Sequence, residues 1–247
     1  MPVQIEEDKH WWFASRTRAI FAVLGRYLPA RSLQILDVGC GAGNMIHHLG
    51  RHGQVVGIEN HPNPVAAGQA RGYDIREGDG RDLPFPEEQF DLVSALDVIE
   101  HNEEDVTMLR EMQRVLKPGG LALITVPALQ SLWSYNDVLN AHVRRYSAAE
   151  IRDRFRQAGL EPLRVTYNNF FVFPLAAALI LARRGKDSDA DLHSHYFDDD
   201  AYQVDMEPTH PAINAVLTGV GWLEAQLLKA VNLPVGTGIV AVGRRED

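Results

Sequence analysis

The stretch that most constrains this chain is Gln34-Ile35-Leu36-Asp37-Val38-Gly39-Cys40-Gly41-Ala42-Gly43-Asn44. Ile35, Leu36 and Val38 read as a buried parallel strand, apolar on both faces. Gly39, Gly41 and Gly43 predict a tight turn in which no Cβ keeps a ligand off the backbone. Asn44 to Leu49 read as the start of a helix whose free N–H groups face the same ligand. Strand, glycine turn and helix together predict a nucleotide-type site at the C-terminal edge of a parallel sheet.

A dinucleotide fingerprint would need glycine at the third place of G-x-G-x-x-G, and Asn44 stands there. Asp-Val-Gly-Cys-Gly-Ala-Gly instead resembles the first motif, D/E-x-G-x-G-x-G, of class I S-adenosylmethionine-dependent methyltransferases. Two later segments carry the same resemblance. Gly78-Asp79-Gly80-Arg81-Asp82-Leu83-Pro84-Phe85 is similar to the family's G-D-x-x-x-L-P-F. Arg114-Val115-Leu116-Lys117-Pro118-Gly119-Gly120 is similar to its R-x-L-K-P-G-G. The likeness is to the small-molecule members of the ubiquinone-pathway, type 11 group. It implies an α/β fold: a Rossmann-like, seven-stranded, mostly parallel sheet with helices on both faces. Helical stretches alternating with apolar runs agree with that class.

Glu59 closes the second strand about 20 residues beyond Asp37, where an acid accepts ribose hydroxyls. A carboxylate suits the task because it only accepts and takes two O–H groups at once. NAD enzymes share this acid, whereas the Asp79 segment separates the families. There, Asp79 would accept from the adenine amino group, while Gly80 or Arg81 N–H would donate to a ring nitrogen. Leu83 and Phe85 would wall the base or pack as core. The resemblance thus sets S-adenosyl-L-methionine, and S-adenosyl-L-homocysteine as product, against Trp12, Arg16, Asp37, Gly39, Gly41, Gly43, Glu59, Asn60, Asp79, Gly80, Arg81 and Asp97. Trp12 and Arg16 enter through His10-Trp11-Trp12-Phe13, read either as a surface helix docking its rings or as a lid with Arg16 near a carboxylate.

Asp97-Val98-Ile99-Glu100-His101 and His142-Val143-Arg144-Arg145-Tyr146 carry the candidate chemistry. Methyl transfer to a hydroxyl needs a proton acceptor, and His101 and His142 titrate in the useful range. Arg145 and Tyr146 would orient the acceptor. Asp97, Glu100 and His101 stand at i, i+3 and i+4, so one helical turn would present all three on one side. This segment resembles the metal-binding segment of ubiquinone-pathway O-methyltransferases and small-RNA 2′-O-methyltransferases. A divalent ion on Asp97, Glu100, His101 and His142 is therefore the alternative to a metal-free base.

Roughly seventy residues separate the sixth and seventh expected strands, far above an ordinary hairpin. The expected division is 1–30 as an aromatic lid, 31–169 plus 233–247 as the cofactor-binding core, and 170–232 as a helical insertion over the substrate. Residues 187–211, acidic and containing His193, His195 and His210, read as its mobile loop. Phe170 to Ala182 is apolar but too short for a span, which takes about 20 residues. A core or lid helix, or interfacial contact through 170–184, are its two readings.

The formal net charge is -9 over 247 residues, with no long basic run, which disfavours nucleic acid as partner. Cys40 is the single cysteine, so no intramolecular disulfide forms, and its place in the turn suits packing. Met1 to Lys9 lacks the pattern of a signal peptide, and a cytoplasmic location is expected. The reading is a methyltransferase acting on a small-molecule acceptor, through O-methylation of a hydroxyl or carboxyl, with a lipophilic acceptor in view. A non-catalytic cofactor-binding scaffold and an NAD-dependent oxidoreductase are the alternatives.

Overall fold

Seven strands alternate with helices along the chain. The strands are β1 (Leu33–Val38), β2 (Gly53–Glu59), β3 (Ile75–Glu77), β4 (Phe90–Leu96), β5 (Leu116–Pro127), β6 (Leu160–Asn168) and β7 (Gly238–Arg245). The helices are α1 (Trp11–Leu24), α2 (Asn44–Leu49), α3 (Pro62–Ala70), α4 (Asp105–Val115), α5 (Tyr135–Leu139), α6 (Ala148–Gln157), α7 (Phe173–Arg183) and α8 (Pro211–Leu228). The computed structural model describes residues 6–183 and 209–246.

The strands form one sheet in the order β3-β2-β1-β4-β5-β7-β6, in which β7 alone runs against its neighbours β5 and β6. The chain starts at β1, winds outward to β3, then returns beside β1 with β4. That reversal opens a crevice beyond the carboxyl ends of β1 and β4, where ligands of such sheets bind. Both faces are covered. Leu36 points into a core with Val93, Ile124, Leu109 of α4 and Phe155 of α6. Ile35, one residue earlier, points into the opposite core with Leu92, Leu123, Ile20 of α1 and Leu228 of α8. Two buried faces explain why β1 is apolar at successive positions rather than alternating.

β5 starts at Leu116, which pairs with Phe90, and the ladder shifts register before Leu121 pairs with Leu92. Gly119, at φ 72°, supplies the kink. β6 extends back to Leu160 by pairing with Arg245. The rings of Trp11, Trp12 and Phe13 all belong to α1, whose first turn is capped by His10 accepting from Trp12 N–H.

Between β6 and β7 lie α7 and α8. Helix α8 packs along α1, and Asn214 pins the two: its Oδ1 accepts from Trp11 N–H at 2.8 Å and its Nδ2 donates to Lys9 O at 2.9 Å. Most of the 187–211 stretch expected as a mobile loop, with His193 and His195, lies outside the described residues. His210 is described and caps α8 by accepting from Ala212 N–H. Among the described residues no helix is long and apolar enough to cross a membrane.

Candidate active site

The glycine turn leaves β1 and folds back under the end of β2: Gly39 and Cys40 N–H both donate to Ile58 O, at 2.8 and 3.1 Å. Gly39 and Gly43 need their identity twice over. Both have positive φ, 65° and 88°, and a Cβ on either would stand 2.5 Å from Val98 Cγ2 or Tyr73 Cδ2 respectively. Cys40 turns inward against Gly57, and burial pushes its thiol pKa far up, as do Asp37 and Glu59 nearby. The packing reading of this cysteine holds.

A cavity of about 340 Å³ opens over this turn, within the usual range for small-molecule sites. Its floor is Asp37, Gly39, Cys40 and Gly41, and its roof is Trp12, Phe13, Arg16 and Thr17 of α1. Helical spacing sets Trp12 and Arg16 on one side, with the guanidinium carbon 6.0 Å from the indole centroid. Arg16 Nη2 reaches Asp97 Oδ2 at 2.5 Å and donates to Thr125 Oγ1 at 3.2 Å, while Thr125 Oγ1 donates to Asp97 Oδ1 at 2.9 Å. Helix α1 is thereby fastened to the ends of β4 and β5.

Asp37, 2% exposed, accepts from Ser94 Oγ at 2.6 Å. Burial outweighs that bond and raises its pKa to about 6. A raised carboxyl pKa favours the neutral form in the folded state. Asp37 therefore contributes stability below the ordinary value near 4, and that contribution is lost as pH rises through about 6. Glu100 and Glu224, both raised by burial, act in the same direction. Asp37→Asn cannot ionise and should remove only its own share, about 2–3 kcal/mol over the full window. Melting curves of ligand-free protein at pH 5 and 7 should converge in the variant relative to wild type; an equal pH-dependence in both would refute the assignment.

Glu59, buried at the end of β2, accepts three backbone N–H groups: Gly41 at 2.9 Å on Oε2, Asn60 at 2.9 Å and His61 at 3.1 Å on Oε1. A carboxylate offers about four acceptor sites, so one is left, on the Oε2 side that carries Gly41. The acid both braces the turn and presents an oxygen beside it.

The third-motif residues lie away from the cavity. Asp79 is taken up by its own neighbour, accepting from Arg81 N–H at 2.8 Å and from its guanidinium Nη2 at 2.6 Å. Gly80 is buried, and a Cβ there would meet Val38 and Met108. Leu83 and Phe85 are core residues, with Phe85 edge-on to Phe90 at 5.0 Å. Gly43, Glu59, Asn60, Asp79, Gly80 and Arg81 lie outside the cavity lining, Glu59 touching it through its bond from Gly41 N–H.

Asp97 has φ 59° and ends β4, and only Ile99–His101 form a helical turn. The i, i+3, i+4 face expected for Asp97, Glu100 and His101 is therefore corrected: Asp97 faces Arg16 and Thr125. The other three do meet. Glu100, His101 and His142 each offer a ligand atom, all within 4.8 Å of one another, and the two imidazole centroids are 4.8 Å apart at 78°. Glu100 is 0% exposed, and neither carboxyl oxygen has a hydrogen-bond partner. Burial, with Asp97 nearby, pushes its pKa well up. Desolvation and the adjacent His142 lower that of His101.

Two residues read as catalytic have other work. Tyr146 is 1% exposed; its hydroxyl donates to buried Asp105 Oδ2 at 2.9 Å, and burial raises its pKa. Arg145 Nε donates to Asp137 Oδ1 at 2.7 Å, and its Nη1 to Ala128 O at 3.3 Å. Both side chains are absorbed by acids and hold the loop rather than face an acceptor. Asp137, 0% exposed, is the site residue the sequence reading missed. Its signal was present as Ser134-x-x-Asp137, a capping pattern opening α5.

Residues 36–124 match the family model of the methyltransferase domain. That match falls on β1, the glycine turn, Glu59 and the 97–101 segment. Those residues form a methyltransferase domain, and the chain is similar to S-adenosylmethionine-dependent methyltransferases. A probable S-adenosylmethionine-dependent methyltransferase of Mycolicibacterium smegmatis is 32% identical over 62% of this chain and 61% of its own length. The ubiquinone biosynthesis O-methyltransferase of Ruegeria pomeroyi is 31% identical over 57% of this chain and 64% of its own. The chain thus spans under two thirds of either relative. Among solved structures the cyclase SpnF superposes with a TM-score of 0.58 at 22% identity, covering 95% of this chain and 83% of that one. The methyltransferase fold extends over nearly the whole chain, and its chemistry has to be argued from the site.

The site fits the family's cofactor. Its floor is backbone free of bulk at Gly39 and Gly41, Arg16 lies in its roof, and Glu59, bonded to Gly41 N–H, keeps one acceptor site open beside the turn. A donor–acceptor set of that kind suits a zwitterionic, ribose-bearing molecule.

Proposed function

We propose that this protein transfers the methyl group of S-adenosylmethionine to the hydroxyl of a small lipophilic acceptor. The observation that carries this reading is the imidazole pair His101–His142, with His101 near Asp97, a residue of the cavity lining. S-adenosylmethionine supplies a methyl on a positively charged sulfur, already a good leaving group. What the protein must add is alignment, exclusion of water and a place for the acceptor's proton. Arg16, Asp97, Glu59 and the glycine turn hold the donor, and Trp12 and Phe13 cover it. His101, kept neutral by desolvation and by its neighbour, or His142 accepts the hydroxyl proton as the C–O bond forms and the C–S bond breaks.

Helices α7 and α8 support a lipophilic acceptor. Leu175 and Leu179 on α7, and Val216, Trp222 and Leu223 on α8, are half exposed or more, a greater apolar surface than solubility calls for. The 170–232 insertion is accordingly read as the acceptor side of the site and 1–30 as its lid. Segment 170–184 is the part proposed to meet an interface that delivers the acceptor.

One observation favours a second mode of activation. The two partnerless oxygens of Glu100, with both imidazoles within 4.8 Å, form a donor set for a divalent ion. Such an ion would acidify the bound hydroxyl in place of a side-chain base. A methyl-transfer screen with labelled cofactor, run with and without exhaustive chelation, tests both. Activity that survives chelation and gains nothing from magnesium or zinc removes the ion. His101→Ala and His142→Ala should each lower turnover about tenfold, a modest part of what a positioned base supplies, because one imidazole remains. Full activity in both variants would remove the pair from the chemistry.

A further inference from the structure

Asp137 has no exposure, yet it accepts from four groups. Oδ2 takes Ser134 N–H at 2.7 Å and Ser134 Oγ at 3.2 Å; Oδ1 meets His142 Nδ1 at 2.9 Å and takes Arg145 Nε at 2.7 Å. The main chain repeats the link, with His142 N–H donating to Asp137 O at 2.8 Å. One residue on, Val143 N–H donates to Glu100 O at 2.8 Å, so the two histidine segments are sewn together. Both carboxyl oxygens face groups that can only donate, Ser134 N–H on Oδ2 and the Arg145 guanidinium on Oδ1, which is the setting of an ionised carboxylate.

An ionised carboxylate can only accept. Its partner Nδ1 must therefore carry the hydrogen, which leaves Nε2 of His142 as the bare lone pair. The ring so oriented packs edge-on to His101 and beside Glu100. We infer that Asp137 is a positioning residue for the proposed methyl transfer: it fixes the tautomer and orientation of His142, so that Nε2 is the atom that receives the acceptor's proton or binds an ion. The inference deepens the proposed function and rests on it only for the word "transfer"; the tautomer belongs to the protein itself.

Arg145 belongs to the same device. Its guanidinium shares Oδ1 with His142, so it helps keep Asp137 charged while its own side chain stays off the acceptor. Every group around Asp137 donates, which makes asparagine a demanding probe. Whichever way its amide is turned, its NH₂ faces a donor, either Ser134 or the His142–Arg145 pair.

The decisive measurement is ¹⁵N NMR of the full chain with labelled histidine, without ligand. The Nδ1–H form of His142, assigned by its loss in His142→Gln, is expected in wild type. An Nε2–H form would overturn the inference, whatever the protein catalyses. Asp137→Asn should then shift His142 towards the Nε2–H form and lower kcat about tenfold, with S-adenosylhomocysteine affinity unchanged within twofold. A variant with an unaltered His142 tautomer would also overturn it. Should the wild type bind no S-adenosylhomocysteine and transfer no methyl group, the proposed function fails while the NMR result still decides the tautomer.

Discussion

Replacing Glu59 with alanine is expected to weaken S-adenosylhomocysteine binding about 100-fold. The loss has two parts, both traceable to the bonds at the end of β2. One is the direct contact: a charge-assisted bond to a ribose hydroxyl from the free site on Oε2, worth on the order of 2 kcal/mol. The other is preorganisation. Without the carboxylate, the N–H groups of Gly41, Asn60 and His61 lose their acceptor, and Gly41 is in the middle of the turn that the ligand must touch. Part of the binding energy is then spent on re-forming the turn. Together these reach the ~2.7 kcal/mol that a 100-fold change represents. Glu59→Gln should fall between, since one oxygen remains to hold Gly41. Calorimetric titration of both variants checks this, with melting temperatures to show that the fold persists. A dissociation constant unchanged in Glu59→Ala would mean the ribose is held elsewhere.

Glu59 also shows what sequence reveals and what it hides. Its place at a strand end and its distance from Asp37 are local matters of spacing, and β1, the turn and α2 follow from local backbone chemistry in the same way. The cost of three backbone bonds on that carboxylate is invisible in the sequence, because it depends on how the turn curls back. The third motif left open whether Leu83 and Phe85 wall a base or pack as core, for a related reason. Arg114 of the later motif donates to Leu83 O at 3.0 Å and Phe85 O at 2.9 Å, so the two segments brace each other and Leu83 and Phe85 face inward. Arg145 and Tyr146 carry chemistry by residue type, but type does not say which acid lies opposite. Asp137 and Asp105 absorb them, and only the folded loop brings these pairs together. Meanwhile Glu100, His101 and His142 do converge, because 142–143 is hydrogen-bonded across to Asp137 and Glu100. Asp97 was lost from that group through one dihedral, its positive φ. The long insertion was legible as length alone.

That insertion gives the second large effect. Gly221→Leu is expected to lower the melting temperature by about 5–10 °C and to weaken cofactor retention with it. Helix α8 crosses α1 with Gly221 directly against Ser15: a Cβ at 221 would overlap Ser15 Oγ and stand 2.5 Å from Ser15 Cβ. Ser15 is 5% exposed in the middle of the contact, on the turn between Trp12 and Arg16, and has no room to yield. Forcing a large side chain into a contact typically costs about 1–3 kcal/mol and occasionally more, and the overlap with both Ser15 Oγ and Cβ puts this position at ~3–4 kcal/mol. Leucine's better helix propensity returns less than about 1 kcal/mol of that. A net loss of ~2–3 kcal/mol corresponds to the stated shift for a domain of this size. The displaced helix is the one that carries Trp12 and Arg16 over the cavity, so the affinity for S-adenosylhomocysteine should fall in parallel. Gly219→Leu is the control. It lies in the same helix, but a Cβ there meets nothing within 4 Å, so it should leave both quantities unchanged or raise stability slightly. If Gly221→Leu melts lower but binds the ligand as wild type does, then α8 supports the fold without setting the lid. Equal behaviour of the two variants would mean that the helices do not meet at Gly221 at all.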